Sequence, residues 1–253
     1  MSDPADALAQ VAGWLADARS VVALTGAGMS AESQIPTFRD TMDGLWASFD
    51  PQQLATLEAF EADPALVTRW YDERRVRCAV AEPNPGHTTL AAMERTATAR
   101  GGSFTILTQN VDGLHRRAGS VNVLELHGSL FAWRGVRSGE AAELPDGPIE
   151  NFPPRLPSGE PMRPGVVWFG EALPNDAIDA AFEASTKADV FLSIGTSSLV
   201  YPAAGFIDTA RDAGAKTVEI NPSETPLTPH VDASIRAKSG EALPMLMSLM
   251  NRA

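Results

Sequence analysis

A run of apolar residues that ends abruptly in a glycine turn sets the tightest limit on how this chain can fold: Val21-Val22-Ala23-Leu24-Thr25 leads straight into Gly26-Ala27-Gly28. A strand apolar at successive positions has to be covered on both faces, as inside a parallel sheet. Similar bursts recur at 104–108, 121–126, 190–195 and 217–220, with Ala-rich helical stretches between several of them. Strands alternating with helices in this way point to an α/β architecture. Ahead of the first burst, Ala5, Leu8, Val11, Ala12 and Leu15 recur at helical spacing behind Asp3 and Pro4, so an amphipathic helix is expected over 3–18. Two stretches leave this rhythm. Residues 41–100 carry helical patterns without a core strand, and 137–164 are studded with prolines from Pro145 to Pro164. The second should be largely irregular, because proline removes a backbone donor and fixes φ. Both read as insertions out of the sheet domain.

Charge and cysteine usage narrow the partners. With 20 Lys and Arg against 32 Asp and Glu the net charge is -12, which runs against a nucleic-acid partner, since such binding needs a basic stripe to displace counterions. Lysine-bearing peptides are compatible with that charge. The single cysteine, Cys78, forms no internal disulfide and cannot build a multi-thiolate zinc site, so a cytoplasmic protein is expected. Asp3, Asp6 and Asp17 stand where a signal peptide would have a basic start and an apolar run. No stretch has the roughly 18 to 20 apolar residues of a membrane span.

The chemistry begins at the first turn. Gly26-Ala27-Gly28-Met29-Ser30-Ala31 satisfies G-x-G-x-x-G/A directly after a strand, an arrangement that receives a pyrophosphate on backbone N–H groups. The ribose-binding acid of an ordinary dehydrogenase, about 20 residues on, is not recognisable. The loop instead continues as Glu32-Ser33-Gln34-Ile35-Pro36-Thr37-Phe38-Arg39-Asp40. Further blocks follow in order: 108–115, Thr-Gln-Asn-Val-Asp-Gly-Leu-His; Leu126-His127-Gly128-Ser129; 163–171, Arg-Pro-Gly-Val-Val-Trp-Phe-Gly-Glu; Gly195-Thr196-Ser197; and Glu219-Ile220-Asn221-Pro222. Together they resemble the sirtuins, the NAD-dependent protein lysine deacylases, over most of the chain.

That resemblance implies roles. In the family the acyl-lysine carbonyl oxygen attacks the nicotinamide ribose carbon of NAD, nicotinamide leaves, and an imidate forms; water finally releases lysine and O-acyl-ADP-ribose. His127 resembles the general base that activates a ribose hydroxyl, a task suited to an imidazole whose ordinary pKa lies near neutrality. Asn110 and Asp112 resemble the residues that order the ribose region and grip the nicotinamide carboxamide. Gln109 would touch the nicotinamide ribose, Phe38 would cover the reactive carbon and Arg39 would meet phosphate. Gly26, Ala27, Gly28, Gly195, Thr196, Ser197 and Asn221 complete the cofactor set, with Ser197 and Asn221 on the adenosine half. Val167, Phe169 and Gly170 belong to a run whose backbone could pair with an extended substrate peptide. Tyr71 and Arg74 share a helix face at i, i+3 and resemble the pair with which class III sirtuins bind the carboxylate of succinyl- or malonyl-lysine.

Two departures stand out. Sirtuins usually carry four zinc-binding cysteines, but Gly135 and Ser138 stand where the first pair would fall and the second pair is absent around Arg155, Leu156 and Ser158. No zinc or other metal is expected. Gln34 replaces the family's glycine, and strains the loop if φ is positive there. The expected architecture is a Rossmann-like parallel sheet with helices on both faces, formed by 1–40, 101–131 and 165–253. A smaller domain comprises 41–100 and 132–164. The expected activity is NAD-dependent lysine deacylation, on succinyl, malonyl or acetyl groups of protein substrates. The alternatives are an NAD glycohydrolase or ADP-ribosyltransferase, which would release nicotinamide without acyl peptide, and a module that binds NAD or ADP-ribose without turnover.

Overall fold

The strands, in chain order, are β1 (Ser20–Thr25), β2 (Ser103–Thr108), β3 (Val123–Glu125), β4 (Gly128–Gly135), β5 (Ala141–Ala142), β6 (Met162–Val166), β7 (Val190–Ile194), β8 (Lys216–Ile220) and β9 (Ala233–Ile235). The helices are α1 (Pro4–Asp17), α2 (Leu57–Ala62), α3 (Pro64–Val80), α4 (Pro85–Ala99), α5 (Leu114–Arg117), α6 (Asn175–Thr186), α7 (Phe206–Asp212) and α8 (Ser239–Met250). The structure is a computed structural model that describes residues 4–36, 54–197 and 201–252.

Six strands form one parallel sheet in the order β3-β2-β1-β7-β8-β9. Counted among themselves they run 3-2-1-4-5-6, the order of doubly wound dinucleotide folds, whose ligand crevice opens where the order reverses. That point lies between β1 and β7. Alternation along β1 shows why the runs are apolar throughout: Val21 and Ala23 pack with Val11 and Leu15 of α1, Leu90 and Met93 of α4 and Leu243 and Leu246 of α8. Val22 and Leu24 point the other way, onto Ala181 of α6 and Phe206 and Ala210 of α7. The expected two-faced parallel sheet is thus present. The burst at 121–126 shortens to Val123–Glu125, and Val121 is exposed.

The helix α4 corrects one expectation. It lies within 41–100, assigned to the small domain, yet its Leu90 and Met93 belong to the core of the large sheet. The small region is built from α2, α3 and the antiparallel sheet β5-β4-β6. Its core holds Phe60, Trp70, Tyr71, Cys78, Trp133 and Trp168. Helix α3 starts where Asp63 accepts from the Leu66 N–H at 2.9 Å with Pro64 in the first turn.

The proline-rich stretch is mostly irregular and is tied down by polar contacts. Asp72 and Arg75 of α3 form a buried ion pair at 2.7 Å. Arg75 donates onward to the carbonyls of Pro145 at 3.0 Å and Gly147 at 2.6 Å, while Asp72 accepts from the Ile149 N–H at 2.8 Å.

Candidate active site

The carboxyl ends of β1 and β7 cross closely. The Gly26 N–H donates to the Ile194 carbonyl at 3.0 Å and the Gly28 N–H to the Gly195 carbonyl at 2.8 Å. A side chain at Gly28 would put Cβ 2.8 Å from Gly195 Cα, and one at Gly195, whose φ is +59°, would meet the Met29 nitrogen at 2.5 Å. The glycines therefore serve a close approach of two loops. Ala27 lies between them, half-buried, in the short 3₁₀ turn Ala27–Met29. Gln34 does sit at φ +62°, the left-handed conformation that a glycine would adopt without strain. Phe38 and Arg39 lie outside the described residues.

Behind this loop the sequence-expected residues converge. Ser30 Oγ donates to Asp112 Oδ2 at 2.7 Å, and Asn110 Nδ2 donates to Ser30 Oγ and to the Gly26 carbonyl, both at 3.0 Å. Asp112 Oδ1 accepts from the Leu114 N–H at 2.9 Å. Burial raises the Asp112 carboxyl above its ordinary value, against these hydrogen bonds. An ionised carboxylate offers about four acceptor sites, so capacity remains for an amide NH₂.

Three participants were not singled out from the sequence as site residues: Ser30, His87 and His115. The Asn84 N–H donates to His87 Nδ1 at 3.3 Å, so the ring proton sits on Nε2, 3.5 Å from Ser30 Oγ. The Thr25 hydroxyl donates to Thr108 Oγ1 at 2.9 Å and accepts from His115 Nε2 at 2.9 Å, and among the described residues the buried His115 Nδ1 has no partner. The two rings stack edge to face, with centroids 4.8 Å apart. Burial pushes His87 down to about 4, and burial with the neighbouring His87 pushes His115 down to about 3. Both are neutral spacers under the loop. Their signal was weak because 57 residues separate His87 from Ser30 and 90 separate His115 from Thr25.

His127 follows β3 and precedes β4. Its Nδ1 lies 2.9 Å from the Gln109 carbonyl, which can only accept, so Nδ1 carries the proton and Nε2 is left as the basic atom. Burial holds its pKa below the ordinary imidazole value, opposed by that carbonyl. Gly128 fixes the chain direction here: its φ is +75° and a Cβ would fall 2.0 Å from the Gly165 carbonyl oxygen. Gln109 Nε2 donates to Thr196 Oγ1 at 3.1 Å, and Asn221 Nδ2 donates to the Thr196 carbonyl at 2.9 Å. Ser197 lies half-buried next to Thr196.

The run after β6 departs from its expected use in one respect. The Val167 N–H donates to the His127 carbonyl and the Phe169 N–H to the Ala55 carbonyl, each at 2.9 Å, and the Trp168 N–H donates to Glu171 Oε2 at 2.9 Å. Three donors of 167–170 are therefore spent within the chain, and Phe169 is bridged to Thr56. The Trp168 carbonyl is taken as well, accepting from the Glu171 N–H at 3.0 Å. Gly170 turns at φ +86°, and Phe169 is 47% exposed.

Tyr71 lies against Trp168, with centroids 6.4 Å apart, one residue from the Val167 that bonds the His127 carbonyl. The Arg74 guanidinium stacks 4.6 Å over Trp70. Burial pushes the Tyr71 phenol up to about 12, partly offset by the Arg74 charge, and burial lowers Arg74. Arg163 also stacks on Trp168, at 3.4 Å, and is paired with Glu171.

Where the family's cysteines would stand, Glu160 Oε1 accepts from the Arg137 and Ser138 N–H groups. A Cβ at Gly135 would lie 2.4 Å from Ser138 Oγ and 2.7 Å from Leu156 Cδ1. Among the described residues no cluster of three or more His, Cys, Asp or Glu could hold a metal.

Comparison with known proteins gives one answer. The pattern described as "Sir2 family" matches residues 26–202. The chain is 48% identical over 243 residues to "NAD-dependent protein deacylase 2" of Pyrobaculum aerophilum, covering 96% of this chain and 95% of that one. It is 46% identical over 252 residues to the "NAD-dependent protein deacylase" of Ralstonia nicotianae, covering 98% of each. Among solved structures, a Sir2 homolog–NAD complex superimposes with a TM-score of 0.89 at 42% identity, over 96% of this chain and 94% of that chain.

Proposed function

The chain belongs to the Sir2 family, and from that premise we propose that it deacylates protein lysines with a preference for acyl chains ending in a carboxylate. It is an NAD-dependent protein deacylase. When bound, NAD supplies a ribose carbon from which nicotinamide can be displaced. The donor set supports residue roles in that reaction. Asp112, held by Ser30 and the Leu114 N–H, receives the carboxamide NH₂, and Asn110 braces the ribose side through Ser30 and Gly26. His127 takes a ribose hydroxyl proton on Nε2, and the Gln109 carbonyl steadies the resulting imidazolium through Nδ1. Gly26, Ala27, Gly28 and Gly195, with Thr196, Ser197 and Asn221, hold the diphosphate and adenosine, and Phe38 and Arg39 keep the roles that the family resemblance implies.

The observation that carries the acyl preference is Tyr71 and Arg74 three residues apart on α3, with Tyr71 against Trp168 and the neighbouring Val167 bonded to the His127 carbonyl. An arginine fork and a phenol suit a carboxylate. Val167, Phe169 and Gly170 line the approach of the peptide. Replacing Tyr71 with Phe and Arg74 with Met is expected to reduce kcat/KM on a succinyl peptide by about 1.5 to 3 kcal/mol for each lost hydrogen bond to charge. Acetyl-peptide turnover should stay near the starting value. Equal loss on both peptides would reject the preference.

The small domain is read as zinc-free, supported by the filled space at Gly135 and the Glu160 contacts in its place. Among the described residues no helix is long and apolar enough to cross a membrane. With one cysteine and a charge of -12, we place the protein in the cytoplasm, acting on protein lysines and not on nucleic acid or membrane.

A further inference from the structure

The loop after β8 is organised around a carboxylate that the proposed chemistry leaves unused. Glu219 is 1% exposed and lies between Ser193 of β7 and Ser234 of β9. Its Oε1 accepts from the Thr225 hydroxyl. Its Oε2 accepts from the Thr228 hydroxyl at 2.7 Å, the Ser234 hydroxyl at 3.3 Å and Arg236 Nη1 at 3.0 Å. Arg236 reaches back over the same loop, donating to the carbonyls of Asn221 at 3.4 Å and Ser223 at 3.0 Å, and to Thr228 Oγ1 at 2.8 Å. Thr228 Oγ1 in turn accepts from the Thr225 N–H at 2.9 Å.

These contacts close on one segment, 221–228. Its first residue, Asn221, donates to the Thr196 carbonyl and so ties the segment to the loop that meets Gly26 and Gly28. A partly buried ion pair such as this one, with Arg236 30% exposed, contributes little net stability, and its clearest use is to select one geometry. Here the geometry selected is that of a loop at the carboxyl end of a parallel strand, where such sheets receive ligands.

We propose that Glu219 and Arg236 are positioning residues for the adenosine half of NAD, acting through Asn221 without touching the ligand. The proposal rests on the reading of Asn221 as an adenosine contact. Arginine is required because one fork spans two carbonyls, a hydroxyl and the carboxylate, a set that a single ammonium cannot reach. Removing it leaves Glu219 with three hydroxyl donors, so Arg236→Ala keeps the carboxylate hydrogen-bonded.

The test is calorimetric titration of ADP-ribose into the full chain and into Arg236→Ala, Arg236→Lys and Asn221→Ala, with KM for NAD and for an acyl peptide measured in parallel. Arg236→Ala is expected to weaken ADP-ribose about tenfold and to raise KM for NAD by a similar factor, with kcat and peptide KM within about twofold. Arg236→Lys should fall between, and it carries the same test if Arg236→Ala does not fold. Unchanged ADP-ribose affinity in the Arg236 variants while Asn221→Ala is weakened overturns the proposal alone. So does an equal rise in both KM values, the mark of general loosening. Unchanged affinity in Asn221→Ala removes the adenosine reading and this inference with it.

Discussion

The parallel sheet and the small region around β4, β5 and β6 hold together by different means. The sheet buries continuous apolar runs on both faces, Val21 and Ala23 toward one helical layer and Val22 and Leu24 toward the other. The small region has an aromatic core with charged clamps at its margins: Asp72–Arg75 on the 145–149 stretch, Arg163–Glu171 on the 166–171 turn, and Glu160 on the 137–138 N–H groups. The lesson is a division of labour. Rigid, pattern-driven packing carries the histidine and the nucleotide loops, while the part proposed to select the acyl chain is fastened by long-range polar contacts.

The sharpest way to break this comparison is to split a clamp. Replacing Asp72 with Ala strands the buried Arg75 guanidinium, at a cost of about 3 kcal/mol. Denaturant unfolding with hydrogen exchange should show that loss first at 145–149, and a metal chelator should leave the midpoint of the unaltered protein where it was. A chelator-induced drop would mean that metal holds the small region.

Acid should separate the two regions next. His87 and His115 are held neutral, down to about 4 and about 3, whereas in the unfolded chain each takes a proton near 6.5. As pH falls below 6.5 the unfolded state therefore binds more protons, and stability drops by about 1.4 kcal/mol per pH unit for each histidine until the folded value is reached. Glu171 behaves oppositely in origin. Burial would raise it, but its hydrogen bonds from Arg163 and the Trp168 N–H and the Arg163 charge bring it below 4.5. Its contribution is present above 4.5 and is lost only as pH falls through that lowered value. Exchange measured stepwise from pH 7 to 4 should therefore loosen 84–90 and 114–118 before 163–171. The reverse order would contradict the assignment of neutral histidines.

The smallest effect concerns the loop itself. Gln34→Gly relieves a left-handed residue and should raise stability by up to about 1 kcal/mol, read as a higher Tm. No gain would mean that Gln34 makes a compensating contact.

This contrast also explains what the sequence disclosed. The strands β1, β2, β7 and β8 were legible because burial on both faces demands apolar runs; the block with Asn110 and Asp112 follows β2, and His127 follows the shorter β3. β9 was missed because it has three residues, bounded by Asp232 and Arg236. β6 was missed as a strand because Met162-Arg163-Pro164-Gly165-Val166 contradicts local propensity and is held by pairing with β4. Helix α4 was assigned to the small domain because its pattern says that a face is buried without saying against what. The Ser30–His87 and Thr25–His115 contacts join distant ordinary positions, and only the fold brings them together.

The most direct test of the account is mass spectrometry of the products after incubation with NAD and one peptide whose lysine is free, acetylated or succinylated, alongside a His127→Tyr control. The account predicts nicotinamide only with acylated peptide, in step with O-acyl-ADP-ribose, faster with succinyl than with acetyl, and lost in His127→Tyr. Nicotinamide released equally from the free-lysine reaction, or undiminished in His127→Tyr, would contradict it.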